Sequence, residues 1–273
     1  MAAENTRDLF EARLEDAIRK CTSGSVAHIP FLTMRERRRA ERLLDARGMR
    51  GAYWFWGGHK TAERTCLFLL PDYLVAILPE DAAEREAALF DYLAEELTEA
   101  VTVLFIKGSG FRNLSHRDYL GAVLGLGIER DAIGDIAVQD EHSAILFCPR
   151  TLAGFLMGEL TKVGSDTVHC LECQIDEIFT DGKKYRPISD TVASPRLDCV
   201  VAALCNLSRE AAQNAVRGGL VEVDFEPEER VDTVLEPPIT VSVRGHGRFI
   251  LRSFDGETRK GRLRLRADLL VYN

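Results

Sequence analysis

Apolar side chains recur three or four positions apart in the first fifty residues, which is the spacing of an amphipathic helix. The pattern predicts helices over residues 6–21 and 33–47, and Thr33 is the expected N-cap of the second. The same periodicity predicts three helices further along the chain, over residues 81–98, 114–127 and 149–164. Ser115 is the expected cap of the helix over residues 114–127.

Short apolar runs between these helices predict β-strands. Two strands are expected around the Gly57-Gly58 turn, and residues 74–78 predict another. The remaining strands are predicted over residues 101–108, 132–139, 143–148 and 167–175. From residue 101 the order is β-α-β-β-α-β, which is that of a ferredoxin-like domain and of RNA-recognition domains. Many unrelated activities use this fold, so the order alone does not define a function.

A polar segment over residues 180–191 predicts a hinge before a second small domain. After it, Ser194 and Pro195 predict a helix start, and Ser208 predicts the cap of a second helix. Several short strands follow, with a hairpin turn expected at Asp255-Gly256. The predicted fold class is therefore α+β. The three predicted parts are an N-terminal α/β segment (1–80), a ferredoxin-like domain (81–178) and a small C-terminal domain (187–267).

Charge is distributed unevenly along the 273 residues, whose formal net charge is -8. Residues 1–243 carry -13 and residues 244–273 carry +5. A concentrated basic segment on an acidic protein indicates a polyanionic partner. The alternative is a solvated hairpin that is simply rich in arginine. Eight cations make up the basic segment: Arg244, Arg248, Arg252, Arg259, Lys260, Arg262, Arg264 and Arg266.

Several other functions are disfavoured by the sequence. The chain has neither a signal-like N-terminus nor a run of 18 apolar residues, so we expect a cytoplasmic protein without a membrane partner. Its seven cysteines form no disulfide framework. Cys170 and Cys173 form a CxxC pair, but no second pair follows at zinc-ribbon spacing. The tripeptide "HRD" lacks the kinase asparagine, because position 123 is Val. We expect no metal, no cofactor and no small-molecule substrate.

The stretch "RLDCVVAALCNLSREAAQNAVRGGLVEV", residues 196–223, resembles the alpha-L RNA-binding domain of ribosomal small-subunit protein four. The chain departs from that pattern at Asp224 and at Pro237-Pro238, which affects the expected loops rather than the domain. Eight positions match the pattern: Arg196, Leu197, Asp198, Ser208, Arg209, Ala212, Gly219 and Val221.

Further segments widen the resemblance to most of the chain. "GGHKTAER" (57–64), "IKGSG" (106–110), "SHRDYLGAVLGLGIERDAIGDI" (115–136), "VRGHGRF" (243–249) and "KGRLRLR" (260–266) are similar to the YlmH family of bacterial RNA-binding proteins. The resemblance implies a ferredoxin-like RNA-binding domain followed by an alpha-L domain. It also implies ribosome-associated quality control of stalled translation, with ribosomal RNA or tRNA on the large ribosomal subunit as partners.

Arginine suits this expected role, because guanidinium groups neutralise phosphates and bind them in bidentate fashion. Alternation along residues 261–266 predicts that three arginines share one face of a strand. We expect Asp198 to pair with a neighbouring arginine. The predicted RNA-binding residues are Arg196, Ser208, Arg209, Arg217, Arg244, Gly245, His246, Arg248, Arg259, Lys260, Arg262, Arg264 and Arg266, and we expect their cations to share a single surface. A possible second RNA surface consists of Lys107, Arg112, His116 and Arg117.

Two other functions remain open from the sequence. Alpha-L domains often accompany pseudouridine synthases, but "RLD" occurs once, at residues 196–198, where it belongs to the binding helix. A division-associated interaction protein is the other alternative. We favour a non-enzymatic RNA-binding protein. The alternative for the second surface is that Arg117 and Asp118 make structural pairs.

Overall fold

The computed structural model describes residues 2–174 and 179–272, which form two compact units, Met1–Gly182 and Lys183–Asn273. The expected α+β class is confirmed. The helices are α1 Ala2–Thr22, α2 Met34–Ala46, α3 Asp72–Val75, α4 Ala82–Tyr92, α5 Ala94–Ala100, α6 His116–Gly125, α7 Arg150–Glu159, α8 Leu197–Cys205 and α9 Arg209–Arg217.

The strands form three sheets. The first unit contains β1 Ala27–Leu32, β2 Tyr53–Trp56, β3 Thr65–Leu69, β4 Thr102–Gly108, β5 Ile136–Asp140, β6 Ser143–Cys148, β7 Lys162–Val163 and β8 Asp166–Glu172. The second contains β9 Lys183–Val192, β10 Val221–Val223, β11 Glu226–Pro227, β12 Ile239–Val243, β13 Gly247–Glu257 and β14 Leu263–Tyr272. The expected division at residues 80 and 178 stays a prediction. The strand predicted over residues 167–175 ends at Glu172, and residues 175 and 178 lie outside the described residues.

The N-terminal sheet has the order β1-β3-β2 and packs against α1 and α2. The strand predicted over residues 74–78 is wrong, because this part of the chain begins as the helix α3. Backbone bonds from Leu74 and Val75 to the carbonyl of Pro71 start a helical turn. Leu74 and Leu78 are buried while Ile77 is 57% exposed. The two buried positions are four residues apart, so they lie on the same side of a helical turn.

The second sheet has the order β5-β6-β4-β8-β7, with antiparallel neighbours throughout. On one face, Leu104 and Leu146 pack with α6 and α7 in a single core. On the other face, Phe147 is buried in a core shared with Phe68 and Leu93. Elements from the first hundred residues therefore cover the β5–β6 side of this face.

Several boundaries in this region differ from the expected ones. The helix predicted over residues 81–98 breaks at the fully buried Leu93, which separates α4 from α5. The strand predicted from residue 132 begins at Ile136, because residues 130–132 form a 3-10 turn. Capping boxes at Thr33 and Ser115 confirm the two predicted N-caps.

The C-terminal sheet has the order β11-β10-β12-β13-β14-β9, and α8 and α9 cover one of its faces. The boundary between the two units, at Gly182–Lys183, lies inside the hinge predicted over residues 180–191, but most of that segment is not a linker. The chain there forms the edge strand β9, which pairs with β14 over ten residues. Polar side chains are tolerated in β9 because most of them are exposed, while the strand is held by backbone pairing with β14.

Two local predictions in the C-terminal unit are also wrong. The N-cap of α8 is Arg196 rather than Ser194, because Leu197 N–H and Asp198 N–H bond to the carbonyls of Thr233 and Val231. The hairpin turn lies at residues 258–262 rather than at 255–256, which belong to β13 where its register with β14 shifts. The predicted cap Ser208 is confirmed, since its side chain accepts from Ala211 N–H at 3.1 Å.

Across residues 2–174 and 179–272, none of the helices combines the length and the apolar character that a bilayer crossing requires.

Gly134 gives a test of the packing between the N-terminal elements and the second sheet. A Cβ at this position would lie 2.6 Å from Phe31 Cε1 and 2.9 Å from Phe147 Cβ. Gly134→Ala is therefore expected to lower the free energy of unfolding by about 1–3 kcal/mol through overpacking. Urea unfolding followed by the fluorescence of Trp54 and Trp56 measures this, because both tryptophans lie in the same unit.

Gly154→Ala is the matched control. Gly154 lies in α7 with open space where its Cβ would be. Alanine there should raise stability by up to about 1 kcal/mol, because it is the better helix former. Equal effects of the two substitutions would contradict the close contact at Gly134.

Candidate nucleic-acid interface

A buried carboxylate links the two helices of the C-terminal unit. Asp198, in the first turn of α8, has 0% of its surface exposed. Its carboxylate accepts hydrogen bonds from Arg196 Nε at 3.1 Å and from Arg209 Nε at 3.1 Å. Gln213 Nε2 also donates to Oδ2, at 2.8 Å. The expectation that Asp198 pairs with a neighbouring arginine is confirmed.

These bonds set the ionisation of the cluster. Burial by itself would raise the pKa of Asp198, because it disfavours the charged form. Hydrogen bonds from Gln213, Arg196 and Arg209 outweigh burial and hold the pKa well below the usual range for aspartate. The hydrogen bond to Asp198 in turn raises the pKa of Arg196. The carboxylate is therefore an anion throughout the physiological range, and the guanidiniums around it are fixed in direction.

A row of polar side chains runs along α9 from this cluster. Arg209, Gln213 and Arg217 are four residues apart, so they share one side of the helix. Arg209 and Arg217 are exposed, and they are about 12 Å apart along the helix axis. Ser208 caps the same helix and places the N-terminal end of the row.

The β12–β13 turn adjoins the other end of α9. Residues 244–246 form this turn, and Arg244 N–H donates to the carbonyl of Leu220 at 2.9 Å. Gly245 has a φ of 83°, which an L side chain rarely adopts. Arg244 and His246 are exposed. The turn therefore extends the α9 row with a further cation and an imidazole. We call Arg209, Arg217, Arg244 and His246 the helix-side row.

The remaining strand cations lie on the opposite face of the sheet. Leu265 and Ala267 point into the core beneath α8 and α9, so Arg264 and Arg266 between them point away from it. Several neighbours on this outer face already have partners. Arg252 Nε lies 2.7 Å from Asp268 Oδ2, Arg266 pairs with Asp255, and Arg262 bonds to Thr191. Arg248 lies over the ring of Phe225, 5.2 Å from its centroid.

The expectation of a single basic surface is therefore wrong. The sheet separates the guanidinium groups on the side of α8 and α9 from those on its outer face. The two turns also lie apart, because residues 244–246 and 258–262 are at opposite ends of the eleven-residue strand β13. At the usual rise per residue that strand spans roughly 36 Å. Arg259 and Lys260, which are exposed at the second turn, cannot contact the same phosphates as Arg244.

Exposed cations without an ion-pair partner are the ones available to a polyanion. Within residues 2–174 and 179–272, these include Arg217, Arg244, Arg259, Lys260 and Arg264. Arg209 is 59% exposed at its side chain even though its Nε is bonded to Asp198. Surface ion pairs such as Arg266–Asp255 contribute little stability, but they do reduce the net charge that a phosphate meets.

The second predicted surface in the first unit surrounds the β4–α6 loop. Lys107 is exposed on β4, and Arg112 is an exposed loop residue that bonds to Ser165 Oγ. His116 is partly buried, and burial followed by the charge of Arg130 lowers its pKa. Arg117 is exposed in the first turn of α6.

The alternative that Arg117 and Asp118 make structural pairs holds for Asp118, whose partner is Ser115. The Asp118 carboxylate accepts from the N–H and the hydroxyl of Ser115, at 2.8 and 2.6 Å, and completes the capping box. These bonds lower the pKa of Asp118. Phe111, which is 91% exposed in the same loop, has no counterpart among the predicted site residues.

Two motifs that carry the family resemblance form a buried network instead of a surface. Asp135 accepts from the backbone N–H of Glu63 at 2.7 Å and of Arg64 at 3.1 Å, and His59 Nε2 lies 3.4 Å from its carboxylate. The buried Arg64 guanidinium donates to the carbonyl of Ile133 at 3.0 Å. Segments 57–64 and 130–135 are therefore joined by polar contacts that hold the first unit together.

The chain thus contains two α+β units with exposed guanidinium groups. Residues 100–177 match the family model "Putative RNA-binding domain in YlmH". The chain is 30% identical over 211 residues to "Ribosome-associated protein quality control protein P2" of Bacillus subtilis (strain 168), covering 77% of this chain and 75% of that protein. The chain belongs to the YlmH family.

The chain is also similar to a solved structure, "Cell division protein ylmH from Streptococcus pneumoniae". The two are 21% identical, with a TM-score of 0.43, and the match covers 61% of this chain and 90% of that chain.

Asp198→Asn tests the buried cluster. The substitution removes the anion that holds two arginines, and loss of one partner of a buried ion pair costs about 3–5 kcal/mol. Because the folded-state pKa of Asp198 is depressed, the wild-type advantage is complete above the unfolded pKa of about 4. It should shrink as the pH falls further. Amide hydrogen exchange of residues 197–217 at pH 7, 5 and 3 measures the difference.

Asp232→Asn is the matched control, because Asp232 is 58% exposed and lies 3.9 Å from Arg230. It should change stability by less than about 1 kcal/mol. A stability loss for Asp198→Asn that stays constant down to pH 3 would contradict the assignment of an ionised, depressed carboxyl.

Proposed function

We propose that this protein is a non-catalytic RNA-binding protein that acts in ribosome-associated quality control of stalled translation. In this role it binds ribosomal RNA, tRNA or both on the large ribosomal subunit. The observation that carries the proposal is the 30% identity, over 77% of the chain, to a protein named for ribosome-associated quality control. The RNA-binding domain model over residues 100–177 supports the same role.

Both units have features that fit this proposal. The strand order β5-β6-β4-β8 supports a ferredoxin-like domain, in which the first strand lies between the third and the fourth. In the C-terminal unit, two short helices lie on a sheet, and the residues of the alpha-L pattern form the Asp198 cluster. This supports an alpha-L domain over about residues 187–267. We retain 1–80 and 81–178 as the proposed division of the first unit.

We assign the principal RNA contact to the helix-side row. Its four side chains are exposed, and Arg209 is held in direction by a bond through Nε alone. A pre-oriented guanidinium loses less conformational entropy on binding a phosphate than a mobile one. Arg209 also lies at the N-terminus of α9, where the helix dipole favours anions.

The first unit is proposed to contribute in a different way from an RNA-recognition domain. Such domains stack bases on aromatic side chains of the central strands. Here Phe147 on the central strand β6 is 0% exposed, because elements from the first hundred residues cover that part of the sheet. We therefore propose the β4–α6 loop region, with Lys107, Arg112, His116 and Arg117, as the second RNA surface.

Charge reversal separates the two faces of the C-terminal unit. Arg217→Glu and Arg244→Glu alter the helix-side row, while Arg264→Glu makes the same change of charge on the outer face. For about four neutralised phosphates, wild-type affinity for ribosomal RNA should fall about a hundredfold between 50 and 200 mM salt. Each helix-side variant should weaken binding and reduce the slope on log salt by roughly one, as filter binding can measure.

The outer-face variant should bind nearly as tightly as the wild type and cosediment with large subunits. If Arg264→Glu releases the protein while both helix-side variants stay bound, the assignment of the row is wrong. If wild-type binding is insensitive to salt, phosphate neutralisation is not the basis of recognition.

The non-catalytic part of the proposal has its own measurement. Ribosomal RNA and tRNA incubated with the protein should keep their nucleoside composition, because we assign no side chain to covalent chemistry. Pseudouridine formation leaves mass unchanged, so the nucleosides are cyanoethylated before mass spectrometry to reveal it. RNA incubated without protein is the control, and a modified nucleoside that appears with protein would identify an enzyme.

A further inference from the structure

Phe111 is an aromatic side chain held almost entirely in water. It is 91% exposed in the β4–α6 loop, whereas Phe31, Phe68 and Phe147 are buried. Burying a phenylalanine side chain stabilises a folded protein by about 1.5–3 kcal/mol, and Phe111 does not make this contribution. An exposed phenyl group that the fold leaves uncovered is available to a binding partner.

The exposure does not come from a loosely attached loop. Gly108 N–H donates to the carbonyl of His142 and Leu114 N–H to that of Glu141, both at 2.7 Å. Ser109 N–H donates to the buried Asp166 carboxylate at 3.2 Å, and the Ser109 hydroxyl bonds to the same group. The loop is therefore anchored on both sides of Phe111.

Arg112 ties the loop to the neighbouring turn. Its carbonyl lies 2.9 Å from the His142 ring Nδ1, and its side chain bonds to Ser165. Between the anchored positions, Gly110 has a φ of 90° and open space around it. Among the described residues of the loop, Gly110, Phe111 and Asn113 make no such bonds, and anchored residues lie on both sides of Phe111, so the ring projects from a fixed base.

The charges around the ring are nearly balanced. Lys107, Arg112 and Arg117 are exposed cations, and Asp118 and Glu141 are exposed acids close by in the chain or across the turn. Coulombic attraction of a phosphate to this loop is therefore modest. The ring itself must supply most of any binding free energy, with a cation beside it to contact the backbone of the ligand.

We propose that Phe111 is a stacking site for an unpaired nucleobase of RNA, with Arg112 contacting the adjacent phosphate. Stacking on an aromatic side chain is worth about 1–3 kcal/mol per base, and it needs no charge on the ring. A base within a duplex is already stacked on its neighbours, so the site selects single-stranded or looped RNA. The inference rests on the proposed function, because it takes RNA as the partner, and it adds the form of RNA that this unit recognises.

The test compares variants of the full chain on two RNA probes, a ten-nucleotide oligouridylate and a ten-base-pair RNA duplex. Phe111→Ala should weaken binding of the oligouridylate roughly 5- to 150-fold, which corresponds to the loss of one stacked base. Binding of the duplex should not change. Phe111→Trp should restore oligouridylate binding, because the larger ring also stacks.

Two control variants separate stacking from charge and from general apolar exposure. Arg112→Ala should weaken both probes by a smaller factor than Phe111→Ala weakens the oligouridylate. Phe155→Ala removes a phenylalanine that is 45% exposed on α7 and should change neither affinity.

The outcomes separate this inference from the proposed function. If the wild-type protein binds RNA but Phe111→Ala has no effect on the oligouridylate, or the wild type binds only the duplex, base stacking is overturned while RNA binding stands. If Phe111→Ala reduces cosedimentation with large subunits at unchanged RNA affinity, the ring contacts protein and the inference is wrong. If the wild type binds neither probe nor ribosomal RNA, the proposed function fails as well.

Discussion

The organisation of the C-terminal unit depends on one carboxylate that water does not reach. Asp198 is surrounded by Arg196, Arg209 and Gln213, so a single anion joins the start of α8 to the first turns of α9. An uncompensated buried charge costs several kcal/mol, which makes the three donors necessary once the carboxylate is present. The same bonds that stabilise the fold also orient Arg209 at the surface. The structural role and the proposed binding role therefore coincide in Arg209.

The first unit has a comparable set of hydrogen bonds around Asp135, but these bonds join buried segments instead of orienting a side chain at the surface. Backbone amides of Glu63 and Arg64 bond to the carboxylate, and the buried Arg64 guanidinium bonds to a backbone carbonyl. Burial and then the charge of Arg64 lower the pKa of Arg130 to about 10, so two cations share this interior region. Motifs that resemble those of an RNA-binding family thus serve here to join the N-terminal elements to the second sheet.

The layering of the sheets decides which surfaces are available to RNA. In the first unit, the elements that cover β5 and β6 bury Phe147, and the proposed RNA surface is the exposed β4–α6 loop instead. In the C-terminal unit, the sheet divides the cations between a helix side and an outer face. Pairs such as Arg252–Asp268 make the outer face mixed in charge. A basic sequence segment is therefore not equivalent to a basic surface.

The sequence alone determined the features that depend on neighbouring residues. Helix periodicity, the caps at Thr33 and Ser208 and the in–out alternation along residues 263–267 were all predictable, because each rests on contacts within a few positions. Only the tertiary structure decided that residues 183–192 form a strand, because their polar pattern becomes a strand through pairing with β14 about eighty residues away. It likewise decided which arginines meet carboxylates, since those pairs join residues that are distant in the chain and their distances follow from packing.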